Sequence, residues 1–237
     1  MRSTVFLVHG PFVDSSSWDE VAARLRSWHR TVAVAVPLRG VAEDAAYLDD
    51  LVGSISGPVV LVGHSYGGAV ISAVHPDAGD VTALVYVAGF APEQGETCAG
   101  LSGRFPGGTL AGTLAPVDLA GGSRDLYVDQ SRYHQQLCAD VPETVAERMA
   151  TSQRPVLERA LTEPCPEPLW RRVHSWFVYG ELDRTVPAAA HRFMAERAGS
   201  RRTVGVAGAS HVVGITAAEA TADLVAEAAA VAHSRRT

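Results

Sequence analysis

A serine between glycines, a histidine and a carboxylate, far apart in the sequence, are the residues of this chain best suited to chemistry. Ser65 lies in GHSYG, which fits the pattern G-x-S-x-G. A serine hydroxyl is a weak nucleophile until a base removes its proton, and an acid must orient that base. Among nine histidines, His211 in VAGASHVVG is our candidate base, and Asp183 in YGELDRTVP is our candidate acid. Together they predict a serine that reacts covalently with a substrate.

The elements that must position these residues follow a regular rhythm. Short apolar runs rich in valine cover residues 4–8, 31–36, 58–62, 83–88, 175–179 and 203–207. Runs without polar alternation are typical of parallel strands covered by helices on both faces. Helical patterns occur between them, at residues 43–55, 66–75, 187–198 and 216–232. This alternation predicts an α/β fold with a doubly wound, mainly parallel sheet.

Each candidate residue follows one of the apolar runs. Ser65 lies between a predicted strand and a predicted helix, so the turn there is sharp and its flanking glycines permit close packing. His211 follows the last run and Asp183 the run before it, which predicts that both lie over the same sheet edge as Ser65. We interpret Glu181 as a solvated loop carboxylate. A further helix is predicted to begin at Ser17 and Glu20, which fit a capping box.

Composition excludes several classes of partner. The formal charge of −6, without a dense basic run, argues against nucleic acid. No apolar run approaches the ~20 residues of a membrane span, and the run before His9 is too short for a signal-peptide core, so we expect a cytoplasmic protein without membrane contact. Cys98, Cys138 and Cys165 are odd in number and widely spaced, which indicates inert thiols and no metal site. The sequence leaves a homodimer open.

One region departs from the strand–helix rhythm. Residues 91–168 contain no convincing buried strand, open with a glycine-rich stretch, and carry helix-like segments near 129–140 and 142–160. An insertion of this length between two strands is either a lid over a site or a disordered loop. We interpret it as a cap of about residues 92–168 within one domain that spans residues 1–237.

Several motifs together resemble one family. They are VFLVHG and SSSW within residues 4–18, VGHSYGG at 62–68, LVYVAGFAPEQGE at 84–96, YGELDRTVP at 179–187 and GASHVV at 208–213. On these motifs the chain resembles the α/β-hydrolase superfamily, and most of all its small bacterial esterase-like members related to plant methylesterases and hydroxynitrile lyases. The resemblance implies a six-stranded core, a helical cap, no cofactor, and a catalytic triad in the order Ser65, Asp183, His211.

The resemblance also implies an oxyanion hole, from which this chain departs at one residue. The family forms the hole from the backbone N–H after the nucleophile, here Tyr66, and from the N–H after the His9–Gly10 pair. That second position is Pro11, which has no N–H. We expect Phe12 to take over as donor; otherwise the hole is one donor short, which lowers the rate by about 10²–10³-fold.

Two kinds of function remain open at this stage. The first is hydrolysis of a small, largely apolar carboxylic ester, lactone or thioester through a Ser65 acyl-enzyme. The second is a ligand-binding or non-hydrolytic protein of the same fold, either receptor-like, a lyase or a cofactor-free oxygenase, and Pro11 favours this alternative. The related hydroxynitrile lyases use a lysine beside the catalytic histidine, whereas Val212 follows His211 here and the chain has no lysine.

Overall fold

The computed structural model describes residues 2–234 and contains two sheets. The strands are β1 (Thr4–Val8), β2 (Arg30–Val34), β3 (Val59–His64), β4 (Val81–Val87), β5 (Leu114–Asp118), β6 (Arg124–Val128), β7 (Val156–Leu157), β8 (Ser175–Gly180) and β9 (Arg202–Val206). Six of them form a parallel sheet in the order β2-β1-β3-β4-β8-β9, and β5-β6-β7 form a small antiparallel sheet. The predicted six-stranded parallel sheet is therefore confirmed, with each predicted strand present.

Burial explains why the apolar runs form this sheet. Every residue of β1 and β3 is buried, and successive side chains enter two separate hydrophobic clusters on opposite faces. Phe6 and Leu61 belong to one cluster, whereas Val5 and Val60 belong to the other. A strand that packs on both faces needs apolar residues at successive positions, which is the pattern that the sequence carries.

Helices cover both faces of the parallel sheet. They are α1 (Asp19–Leu25), α2 (Val41–Gly53), α3 (Tyr66–Ser72), α4 (Cys98–Gly103), α5 (Gln130–Leu137), α6 (Glu143–Ser152), α7 (Glu158–Thr162), α8 (Ala188–Arg197), α9 (Val213–Thr216) and α10 (Ala218–Ser234). Three short 3₁₀ helices lie at Ser15–Trp18, Leu110–Thr113 and Leu169–Arg171. Within residues 2–234, no helix combines the length and apolar character that a membrane crossing requires.

The first helical segment begins earlier than the capping-box pattern predicts. Asp14 caps the 3₁₀ helix, and its side chain accepts a hydrogen bond from the Ser16 N–H at 2.8 Å. Ser17 donates its hydroxyl proton to the Asp14 carbonyl instead of capping α1. The assignment of Ser17 as the helix cap is therefore wrong, because Asp14 caps a 3₁₀ helix that begins before α1.

The inserted region between β4 and β8 contains strands as well as helices. The predicted segment 129–140 appears as α5, but the predicted segment 142–160 is helical as α6 only to Ser152 and is then interrupted by β7. The strands β5, β6 and β7 form an antiparallel sheet that the sequence did not reveal. β5 is a partly exposed edge strand with Pro116 at its centre, so it lacks the apolar run of a buried strand. Gly121 and Gly122, both with positive φ, form the turn that joins it to β6.

Candidate active site

Ser65 occupies a strained turn between β3 and α3. Its φ of 54° and ψ of −124° lie outside the regions that non-glycine residues favour. The turn packs closely on its neighbours: a Cβ at Gly63 would lie 2.5 Å from the Gly67 carbonyl oxygen, and one at Gly10 would lie 2.7 Å from the Ser65 Cβ. The Ser65 carbonyl accepts hydrogen bonds from the N–H groups of Gly68 and Phe90. Only glycine therefore fits at these positions, and the serine is held at the carboxyl end of β3.

Asp183 and His211 are in direct contact. His211 Nδ1 lies 2.7 Å from Asp183 Oδ2, and the side chain of Asp183 is fully buried. Asp183 Oδ1 accepts the N–H groups of Thr185 at 2.7 Å and Val186 at 3.0 Å. Burial by itself would raise the pKa of Asp183, but its attraction to His211 and the hydrogen bonds from its partners outweigh burial, so the pKa lies below its usual value. The carboxylate is therefore ionised and oriented.

The loops that carry this pair are joined to each other. Leu182 donates its N–H to the Ala209 carbonyl, and a Cβ at Gly180 would overlap the Ser210 carbonyl oxygen. Only glycine permits this approach of the loops after β8 and β9. Glu181 pairs with Arg192 on the protein surface, while Asp183 contacts His211.

His64 connects the Asp183–His211 pair to the serine turn. Its Nε2 donates to the His211 carbonyl oxygen at 3.1 Å, and the two rings lie 4.8 Å apart between centroids. Burial lowers the pKa of His64 to about 3, so the ring is neutral and its Nε2–H is the donor. His64 immediately precedes Ser65, so this hydrogen bond joins the loop of His211 to the serine turn. The three predicted residues therefore lie at the same carboxyl edge of the sheet.

A cavity of about 180 Å³ opens onto Ser65 and Tyr66. The inserted region supplies Leu110, Leu114 and Leu161 to its wall, while Pro11, Phe12 and Phe90 come from loops after β1 and β4. None of its lining residues, all of which belong to the described part of the chain, is charged. The cavity is therefore suited to an apolar group.

The second oxyanion donor is not where the sequence predicted it. The Phe12 N–H donates to the Arg154 carbonyl at 2.8 Å, and the Phe12 carbonyl accepts the Tyr133 hydroxyl at 2.6 Å. With φ at 67°, Phe12 turns its backbone toward these residues of the inserted region. The assignment of Phe12 as oxyanion donor is thus wrong for this structure. Tyr66, in contrast, is the first residue of α3, where N–H groups lack intrahelical acceptors.

His191 is a residue of the site that the sequence analysis missed. It lies on α8, and its Nε2 is 3.2 Å from Asp183 Oδ2. The sequence feature that could have revealed His191 is its position on a helical face between Ala190 and Met194, both of which are buried.

Cys98, Cys138 and Cys165 are buried and not disulfide-bonded. Within residues 2–234, no three or more His, Cys, Asp or Glu side chains are arranged so that they could hold a metal ion.

The fold and the strained serine turn define an α/β hydrolase, and the comparison with protein families agrees. The chain belongs to the alpha/beta hydrolase family, whose model matches residues 5–224. None of the curated proteins matches it significantly in sequence.

Solved structures of the same fold cover nearly the whole chain. A polyneuridine aldehyde esterase has a TM-score of 0.80 and 14% identity, with 96% of this chain and 99% of that chain covered. A pyrethroid hydrolase from Sphingobium faniae has a TM-score of 0.76 and 21% identity over 97% and 98% of the two chains. A methylesterase from Arabidopsis has a TM-score of 0.79 and 14% identity over 97% and 99%. At these identities the likeness establishes a shared fold.

Proposed function

We propose that this protein hydrolyses a small, largely apolar carboxylic ester through an acyl-enzyme at Ser65. The observation that carries the proposal is the 2.7 Å contact between Asp183 and His211 at the sheet edge where Ser65 occupies its strained turn. A buried ionised carboxylate that holds Nδ1 leaves Nε2 of the same ring as the base. The similar solved structures include an esterase, a pyrethroid hydrolase and a methylesterase, which supports this reaction class.

In the proposed reaction His211 removes the Ser65 proton while Oγ attacks the ester carbonyl carbon. The carbonyl π electrons move to oxygen, and the Tyr66 N–H stabilises this oxyanion. The tetrahedral intermediate collapses, the C–O bond to the alcohol breaks, and His211 protonates the departing alcohol. Water then attacks the acyl-enzyme with His211 again as base, which releases the acid and regenerates the Ser65 hydroxyl. Asp183 stays ionised and stabilises the imidazolium in both halves.

The cavity supports an apolar substrate group of limited size. An engineered apolar cavity of ~150 Å³ binds benzene, so a cavity of about 180 Å³ holds a group near the size of a substituted ring. The absence of charge among its lining residues, within the described chain, disfavours an ionised group in the cavity. Esters with a short aliphatic or single-ring group should therefore be better substrates than long-chain or charged ones.

A second candidate is a ligand-binding protein of this fold with very slow turnover. The observation that favours it is the oxyanion side of the site: Pro11 has no N–H, and that of Phe12 is bonded to Arg154. A hole with Tyr66 as its backbone donor stabilises the transition state less, because loss of one donor lowers kcat by about 10²–10³-fold.

Labelling and turnover together distinguish these candidates. The purified protein is treated with a fluorophosphonate, and hydrolysis of p-nitrophenyl acetate, butyrate, benzoate and palmitate is measured in parallel, with Ser65→Ala as control. If the protein is a hydrolase, the fluorophosphonate should label Ser65 stoichiometrically. The protein should also turn over the esters many times, fastest for butyrate or benzoate. Labelling without turnover across the panel would favour the binding protein, and equal turnover by Ser65→Ala would exclude covalent catalysis at this serine.

A further inference from the structure

Asp183 contacts two histidines through the same oxygen. Oδ2 lies 2.7 Å from His211 Nδ1 and 3.2 Å from His191 Nε2, while Oδ1 accepts two backbone N–H groups. These four hydrogen bonds fill the acceptor sites of the carboxylate. His191 therefore competes with His211 for the charge on Oδ2.

The surroundings of His191 determine which proton it carries. The side chain is 1% exposed, and its ring stacks on Tyr179 with centroids 5.0 Å apart. Its Nδ1 has no hydrogen-bond partner among residues 2–234. An imidazolium would leave a buried N–H at Nδ1 unsatisfied, whereas a neutral ring with its proton on Nε2 donates to Asp183. Burial lowers the pKa of His191, which favours the same neutral form.

We propose that His191 is a positioning residue for the base: by donating to Asp183 Oδ2 it orients the carboxylate and weakens the attraction of the carboxylate for the His211 imidazolium. A carboxylate that already accepts a hydrogen bond from a second donor presents less negative charge to the first. Removal of the His191 donor should therefore strengthen the attraction between Asp183 and a protonated His211. The catalytic consequence rests on the proposed function, while the contact itself does not.

Other titratable groups surround this pair and must stay constant in the test. His64 lies against the His211 ring, and His9 is close enough to His64 to influence it. Asp140 accepts the N–H of Ser210, which precedes His211. Arg192 follows His191 on α8 and pairs with Glu181, beside Tyr179. A substitution at residue 191 alone leaves all of these residues in place in the sequence.

Two substitutions separate the ring from its hydrogen bond. His191→Phe keeps an aromatic ring against Tyr179 and removes the donor, while His191→Gln removes the ring and keeps an N–H donor near the Nε2 position. Met194→Ala is the matched control for loss of packing, because Met194 is buried on the same helix and its sulfur contacts the Ala91 N–H instead of Asp183.

The readout is the pH dependence of kcat/KM for p-nitrophenyl butyrate. In His191→Phe the acid limb of the profile should move upward by about 0.5–1 pH unit, because the imidazolium of His211 persists to a higher pH. His191→Gln should stay within about 0.2 pH unit of the wild type, and Met194→Ala should be less stable to urea without a shift of the limb. An unshifted limb in His191→Phe, or an equal shift in Met194→Ala, would overturn the proposal.

A measurement without substrate separates this proposal from the proposed function. ¹⁵N NMR of the histidine rings in the wild-type protein should show His191 protonated at Nε2 and bare at Nδ1 from pH 5 to 9. In His191→Phe, the ring of His211 should gain its proton at a higher pH than in the wild type. If esters are not hydrolysed but these NMR results hold, the function fails and the positioning role stands. The opposite tautomer of His191 in the wild type would overturn the positioning role, whether or not the variants fold.

Discussion

The two sides of Ser65 are built in different ways. On one side, Asp183 and His211 lie on loops that directly follow β8 and β9, so the sheet positions them. On the other side, the loop after β1 carries Pro11 and Phe12, and the inserted region holds it through Tyr133 and Arg154. The acid–base side follows the family pattern and the oxyanion side departs from it. The structure thus contains the Asp183–His211 contact that the family order implies, whereas the Phe12 N–H that the sequence offered to the oxyanion is bonded to Arg154.

Substitution of the nucleophile should produce the largest effect. Ser65→Ala should abolish measurable ester hydrolysis, since the triad acts as a unit that supplies ~10⁶-fold in kcat. His211→Ala should match it, and the double variant should lose little more, as measured by p-nitrophenyl butyrate hydrolysis. If Ser65→Ala kept more than about a tenth of the wild-type kcat, covalent catalysis at Ser65 would be the wrong mechanism.

The next effect tests which carboxylate serves His211. Asp183→Asn should lower kcat by about 10³–10⁴-fold, because an amide favours the wrong tautomer of the imidazole. Glu181→Gln is the matched control and should change kcat by no more than about threefold, since its loss removes a surface ion pair with Arg192. The reverse ranking would mean that the buried contact of Asp183 does not serve catalysis.

A substitution on the oxyanion side should increase activity. Pro11→Ala restores an N–H at the family position and should raise kcat by about 10–10²-fold with little change in KM, because the new hydrogen bond forms in the transition state. Pro11→Gly, which also supplies an N–H, should raise kcat in the same direction. Unchanged kcat in both variants would show that the oxyanion side already has its donors, for instance through release of Phe12 from Arg154 during the reaction.

The smallest effect concerns stability at acid pH. The pKa of Asp183 is lower in the folded protein than in the unfolded chain, because its attraction to His211 and its hydrogen bonds outweigh burial. Its stabilisation is therefore complete above the unfolded pKa of ~3.9 and is lost as pH falls below that value. From about pH 5 to pH 2, the free energy of unfolding in urea should fall more steeply for the wild type than for Asp183→Asn. Equal slopes for the wild type and Asp183→Asn would contradict an ionised, buried carboxylate. The control Glu181→Gln should keep the wild-type slope.

The acid–base side of the site could be predicted from the sequence, whereas the oxyanion side could not. Strand positions follow from buried apolar runs, and Asp183 and His211 are recognisable because each follows such a run. The Phe12 hydrogen bonds were not predictable, since their partners Tyr133 and Arg154 come from a distant segment whose placement depends on tertiary packing. β5 was missed because an exposed, proline-containing edge strand lacks the apolar pattern. Local patterns thus identify residues at strand ends, whereas contacts between the inserted region and the sheet require the fold.

Direct observation of the acyl-enzyme tests the central claim most directly. The wild-type protein is mixed with excess p-nitrophenyl butyrate, quenched in acid within milliseconds to seconds, and analysed by intact-protein and peptide mass spectrometry. We expect a butyryl group on the peptide that contains Ser65, formed at the rate of the nitrophenolate burst and absent from Ser65→Ala. Release of nitrophenolate over many turnovers with no adduct on Ser65, or with an adduct on another residue, would contradict covalent catalysis at this serine.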